Sequence, residues 1–195
     1  MLEIIPLTAL KDNYIWMLIN KINQCVAIVD PSEHEPVLEY IQSRNLNPIA
    51  ILITHHHWDH VGGITGLTKK YNIPVYTPEK EFVEGSTNPV SEGDIISLPE
   101  FDLEINILDV PGHTSGAISY HTEKMLFSGD TLFTGGCGRL FEGSPTQMHS
   151  SLSKIKKLPA ETLVYCGHEY TVPNLKFAAA VEIDNKAIQR RLELA

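Results

Sequence analysis

Thr54-His55-His56-His57-Trp58-Asp59-His60-Val61-Gly62-Gly63 follows directly on the unbroken apolar run 49–53. A short apolar run bounded by polar residues is the pattern of a strand buried on both faces, and here the polar part begins where the strand stops. Four potential ligands, His55, His57, Asp59 and His60, fall within six residues. Imidazole suits zinc and other borderline metals, carboxylate suits harder ones, and a strand end lets both kinds converge on one side of a sheet. In extended chain alternate side chains point the same way, so His55 and His57 form a clamp while His56 faces elsewhere. Trp58 reads as a packing element that shapes this loop.

Two histidines in a turn are an ordinary surface feature, but the arrangement recurs further along. Asp109-Val110-Pro111-Gly112-His113-Thr114 puts a histidine just past a strand and a Pro-Gly turn. Phe127-Ser128-Gly129-Asp130-Thr131 puts an aspartate after the next apolar run, and Val164-Tyr165-Cys166-Gly167-His168 adds a histidine after another. Strand ends far apart in the chain thus each offer a ligand. Cys166 is expected on the opposite face of its strand, and His34, His121 and His149 have no ligand company.

Around these points the chain alternates strands and helices. Runs 2–7, 14–19 and 25–29, rich in branched and aromatic residues and separated by polar turns, predict an antiparallel meander. Val37, Leu38 and Ile41 at helical spacing predict a helix over 35–44, and 62–71 is read as another. Strands are expected at 75–77, 95–98, 103–109, 119–121, 125–128 and 162–165. A helix over 145–157 is expected to open with Pro145 after Ser144, and helical sequence follows the last strand. Two similar sets of strands and helices imply an α/β fold with two mixed layers packed sheet to sheet.

Composition narrows the function. With 195 residues and 43% hydrophobic side chains the chain can bury a substantial core. A formal charge of −9 repels polyanions, so no nucleic acid partner is expected. Cys25, Cys137 and Cys166 form no C-x-x-C pair and are odd in number, which suits a reducing compartment. Glu3, Lys11 and Asp12 break the early apolar stretches and no run reaches membrane length, so a cytoplasmic protein with no membrane partner is expected.

The ordered set H-x-H-x-D-H, then His, Asp and His at later strand ends, resembles the metallo-β-lactamase superfamily, which implies a four-layer α/β/β/α sandwich. By that resemblance His55, His57 and His113 hold one metal, Asp59, His60 and His168 a second, and Asp130 bridges them, with Asp59 and Asp130 also counted as catalytic. Narrower strings are similar to the glyoxalase II family of hydroxyacylglutathione hydrolases. They are the His55–His60 motif itself, Gly136-Cys137-Gly138-Arg139-Leu140-Phe141-Glu142-Gly143, Tyr165 to Thr171, Asn174 to Ala178, and Asp12-Asn13-Tyr14. The likeness implies hydrolysis of S-D-lactoylglutathione to D-lactate and glutathione by a metal-bridged hydroxide. It implies a small glutathione thioester as partner, bound by Arg139, Phe141 and Tyr170, with Phe141 where some members carry tyrosine. Zinc is the first choice of metal, with iron or manganese as alternatives, and a monomer is expected. The family pattern also implies a catalytic domain over 1–172 and, over 173–195, the truncated start of a C-terminal helical substrate-binding segment.

A thioester suits such a site. Its thiolate leaving group has a parent pKa of roughly 8.5, so no strong general acid is required. The alternatives are a mononuclear iron persulfide dioxygenase of the same superfamily and a non-catalytic metal-binding module.

Overall fold

The computed structural model describes residues 1–195. The chain opens with the meander β1 (Leu2–Ala9), β2 (Asn13–Asn20) and β3 (Cys25–Val29), then α1 (Glu35–Arg44) and β4 (Asn47–Leu52). Two short helices, α2 (Trp58–Val61) and α3 (Ile64–Thr68), lead to β5 (Val75–Pro78) and β6 (Asn88–Val90). The second half contains β7 (Ile95–Leu98), β8 (Leu103–Asp109), β9 (Ile118–His121) and β10 (Met125–Gly129), followed by the two-residue strands β11 (Leu132–Phe133) and β12 (Gly136–Cys137). Helix α4 (Pro145–Ile155), β13 (Leu163–Cys166), α5 (Thr171–Val181) and α6 (Lys186–Glu193) complete it.

Six strands form one sheet in the order β1-β2-β3-β4-β5-β6, antiparallel through β3 and parallel beyond. Five form the other, β13-β10-β9-β8-β7, in which only β13 and β10 run parallel. Strands β3 and β4 have side chains buried on both faces, and alternation sends them to two different cores. Val26, Ile28 and Ile51 join Ile15 and Met17 of β2 under α1 and α3, against Val37, Ile41, Ile64 and Leu67. Ala27, Val29, Ala50 and Leu52 face the other sheet, meeting Ile96, Ile105, Ile107, Ile118 and Phe127. A third, smaller core sets Val110, Ala117 and Leu126 against Ile155 of α4. Helix, sheet, sheet, helix is the four-layer α/β/β/α order, and each fully buried Ile, Leu or Phe in it contributes roughly 1.5–3 kcal/mol.

Local chemistry sets the element ends near the site. Ser144 and Gln147 form a reciprocal capping box and Pro145 occupies the first turn, so α4 starts where its sequence predicts. The helix expected over 62–71 is instead two pieces. Gly63 donates its N–H to Pro31 O at 2.7 Å, and a Cβ on Gly62 would lie 2.5 Å from Ser32 O. The backbone leaves its helical ladder there to pack against the loop after β3, a contact only glycine permits. The sheets are tied beside the ligand loop: Tyr120 on β9 donates to Ile53 O at 2.8 Å, and Ile118 N–H donates to Thr54 O at 2.9 Å. No helix is long and apolar enough to cross a membrane.

Candidate metal centre

The seven residues singled out in the sequence converge at one edge of the sandwich, where the strands end. The loop after β4 carries His55 and His57, and α2 carries Asp59 and His60. His113 follows β8, Asp130 follows β10 and His168 follows β13. Two donor groups result. His57 Nδ1 lies 3.2 Å from His55 Nε2 and 3.0 Å from His113 Nε2. His168 Nε2 lies 3.3 Å from His60 Nε2 and 3.4 Å from Asp59 Oδ2. Asp130 stands between them, its Oδ2 3.4 Å from His113 Nε2 and 3.2 Å from His168 Nε2.

These spacings suit metal ions. Zn–N bonds of about 2.0–2.1 Å in tetrahedral geometry set ligand nitrogens about 3.3 Å apart, close to the 3.0–3.3 Å separations between the rings. Asp130 Oδ1 is fully buried with no hydrogen-bond partner, an orphaned anionic acceptor that a cation would satisfy. The protein braces most rings on their far side. His55 Nδ1 is 3.0 Å from Thr54 Oγ1, and His60 Nδ1 is 3.0 Å from Asp30 Oδ2. His113 Nδ1 is 2.7 Å from Arg139 O, and His168 Nδ1 is 2.9 Å from Asp12 Oδ1. A ring donating Nδ1–H outward keeps a lone pair on Nε2 turned inward, the orientation a ligand needs. Asn13 Nδ2 donates to Asp59 Oδ2 at 3.0 Å and orients that carboxylate too.

Electrostatics divide the two groups. Burial and then the neighbouring imidazoles hold His55 and His57 below the usual histidine range. Burial alone would lower His60 as well, but Asp130 and Asp30 outweigh it and push it up to about 9. His168 is raised in the same way by Asp130 and Asp12 against its burial. Burial would raise Asp130, yet His60 and His168 bring its pKa below the ordinary carboxylate value. Gly167 leaves room for this crowding, since a Cβ there would lie 2.3 Å from Asp130 Oδ1.

The centre opens on a cleft of about 470 Å³ whose walls include Arg139, Phe141 and Tyr170, as well as Trp58 and Phe133. Phe141 sets its edge against His57 and His113, and Arg139 lies over the Phe141 ring, 5.2 Å from its centroid. Tyr170 stacks parallel on His168 with centroids 4.9 Å apart, and burial, then Asp12 and Asp130, push its hydroxyl up to about 12, which keeps it a donor at neutral pH. Trp58 differs from its expected packing role: it is 70% exposed, at the cleft. As the first residue of a four-residue helix, it turns its indole to the cleft instead of a core. His56 turns away from both donor groups, as alternation predicts, towards Glu81 and Glu142. Asp30 and Glu81 are participants that the sequence does not single out, and Asp12 enters it only through family likeness.

Comparison with known proteins agrees with this geometry. The profile described as the metallo-beta-lactamase superfamily matches residues 14–168, from the first residues of β2 to the last histidine of the centre. A hydroxyacylglutathione hydrolase of Nitrosomonas eutropha is 52% identical over 95% of this chain and 72% of its own length. One from Methylobacillus flagellatus is 49% identical over 99% of this chain and 76% of its own. Among solved structures, ETHE1 from Myxococcus xanthus superposes with a TM-score of 0.75 at 28% identity, covering 87% of this chain and 76% of that one. The BLEG-1 B3 metallo-beta-lactamase gives 0.74 at 28% identity, covering 87% and 92%.

Proposed function

The chain belongs to the metallo-beta-lactamase superfamily and, within it, to the hydroxyacylglutathione hydrolases, and from that premise we propose that it hydrolyses S-D-lactoylglutathione to D-lactate and glutathione at a two-metal centre. His55, His57 and His113 hold one divalent metal, Asp59, His60 and His168 hold the other, and Asp130 serves both. The observation that carries this is the meeting of two three-residue donor groups at one buried carboxylate with an unpartnered oxygen. Zinc is the favoured occupant, with iron or manganese suited to the same mixed imidazole and carboxylate donors. A metal pair at such a site lowers the pKa of water and polarises a carbonyl oxygen.

The chain's own residues supply the rest. Asp12, Asp30 and Arg139 O fix ring orientation, so the donors are set before substrate arrives and little reorganisation is needed during reaction. Arg139 offers a cation for a glutathione carboxylate, and Tyr170 a neutral hydroxyl donor. Phe141, Phe133 and Trp58 give the cleft apolar walls that limit water around the thioester. The thiolate product leaves without a dedicated acid, consistent with a cleft that presents no separate Ser-His-Asp set. The protein is read as a cytoplasmic monomer, with residues 1–172 as the catalytic unit and 173–195 as a helical substrate-binding segment.

Lactoylglutathione hydrolysis by metal-stripped protein, with zinc, manganese or iron added back, tests this. The expected result is turnover that returns with metal and disappears with chelator. Metal-loaded protein without thioesterase activity would overturn it.

A further inference from the structure

Glu81, in the turn after β5, is nearly fully buried, with its side chain 2% exposed. Its two oxygens collect four donors from two ligand loops. Oε2 accepts from His56 N–H at 2.6 Å and faces His56 Nδ1 at 3.0 Å. Oε1 accepts from the Thr114 hydroxyl at 2.5 Å and from Gly116 N–H at 3.0 Å. His56 is the residue between His55 and His57, and Thr114 follows His113. A backbone N–H donates to each of the two oxygens, so a glutamine amide would turn its own N–H groups on one of these donors. A Cβ on Gly116 would sit 2.6 Å from Glu81 Cγ, so the loop closes tightly around this side chain.

A second carboxylate closes the circuit. Glu142 Oε1 lies 3.2 Å from His56 Nε2, and Glu142 Oε2 accepts from Ser115 N–H at 2.8 Å. The His56 ring is therefore bracketed by two carboxylates, both anchored in the segment just after His113. The loop from the first sheet and the loop from the second are joined without use of any proposed metal ligand.

We propose that Glu81, acting through His56, is the positioning residue of the three-histidine half of the centre, holding the His55–His57 loop in register with His113. This rests on the two-metal reading above. It assigns a role to the middle histidine of the motif, whose ring packs against His57 with centroids 5.1 Å apart but which is a member of neither three-residue donor group. Removing a support of this kind weakens metal binding or activity by roughly 10- to 100-fold, and the loss falls on one half only, because Asp59, His60 and His168 are braced by Asp12, Asn13 and Asp30.

The test is cobalt(II) titration of metal-stripped wild type, Glu81→Ala, Glu81→Gln and His56→Ala, following the absorption spectrum, with circular dichroism to verify folding and kcat and KM for lactoylglutathione alongside. Wild type is expected to bind in two steps. The folded Glu81 variants are expected to keep one step and weaken the other roughly 10- to 100-fold with an altered spectrum, lowering kcat more than KM. Glu81→Gln is close in size, and His56→Ala alters a partly exposed side chain and should show the same selective loss to a smaller degree. These two keep the test valid should Glu81→Ala fail to fold. Wild-type metal affinities and spectra in the folded variants, even with a lowered melting temperature, would reduce Glu81 to scaffold and overturn the inference. Wild type that binds no metal pair would bring down the functional reading and this inference together, a result distinct from normal wild type beside normal variants.

Discussion

The two halves of the metal centre sit within a few ångströms of each other and are built on opposite principles. The His55, His57 and His113 half has neutral donors with a hydroxyl and a backbone carbonyl behind two of its rings, and it is held in register by Glu81 at a distance. The Asp59, His60 and His168 half includes a carboxylate donor and has Asp12 and Asp30 directly behind its rings. The difference appears in the pKa directions: burial and imidazole neighbours lower His55 and His57, whereas Asp130 and its partner aspartates raise His60 and His168 against burial. One half is shaped mainly by geometry and the other mainly by charge.

Asp130 belongs to both halves, and its loss should erase the comparison. Asp130→Ala removes the one carboxylate facing both donor groups, so hydrolysis should fall to the uncatalysed level and metal content should drop. Elemental analysis and a thioesterase assay on the same preparation check this; a variant retaining both metals would show the bridge is dispensable. Asp12→Ala should act on one half, lowering metal affinity or activity roughly 10- to 100-fold by freeing the His168 ring. If the step weakened in Asp12→Ala is the one weakened in Glu81→Gln, the two halves are not separately supported.

Outside the centre the effects should be smaller and differ in kind. Arg139→Ala removes a charge-assisted contact worth roughly 1.5–3 kcal/mol, so KM should rise by about one to two orders of magnitude while kcat changes little. Steady-state kinetics separates the two parameters. A fall in kcat alone would place Arg139 in the chemistry and not in binding.

The same contrast explains what was legible in the sequence. Donors lie at strand ends: β4 and β10 are buried on both faces and read as apolar runs that end at His55 and Asp130, while β8 and β13 are partly exposed yet carry enough apolar residues to mark His113 and His168. The longer strands were readable from their apolar runs, and α1 from the helical spacing of Val37, Leu38 and Ile41. The supports were not: Asp12 meets His168 across 156 positions, Asp30 meets His60 across 30, and Glu81 meets His56 across 25. No local pattern marks a residue whose partner is chosen by sheet packing. Asp12-Asn13-Tyr14 was noticed only through family likeness, yet its tip braces both His168 and Asp59. The misplaced helix at 62–71 failed similarly, because the two glycines are spent on a contact with residues 31 and 32. Strands β6, β11 and β12 escaped because two or three residues are too few to show a period.

The central claim is that two donor groups sharing Asp130 hold two metals. Its most direct test is elemental analysis of the chain after reconstitution and removal of loosely bound ions. Two transition-metal ions per chain, zinc or a mixture with iron or manganese, is the predicted result. A single ion per chain at saturation, or magnesium or calcium alone, would contradict it.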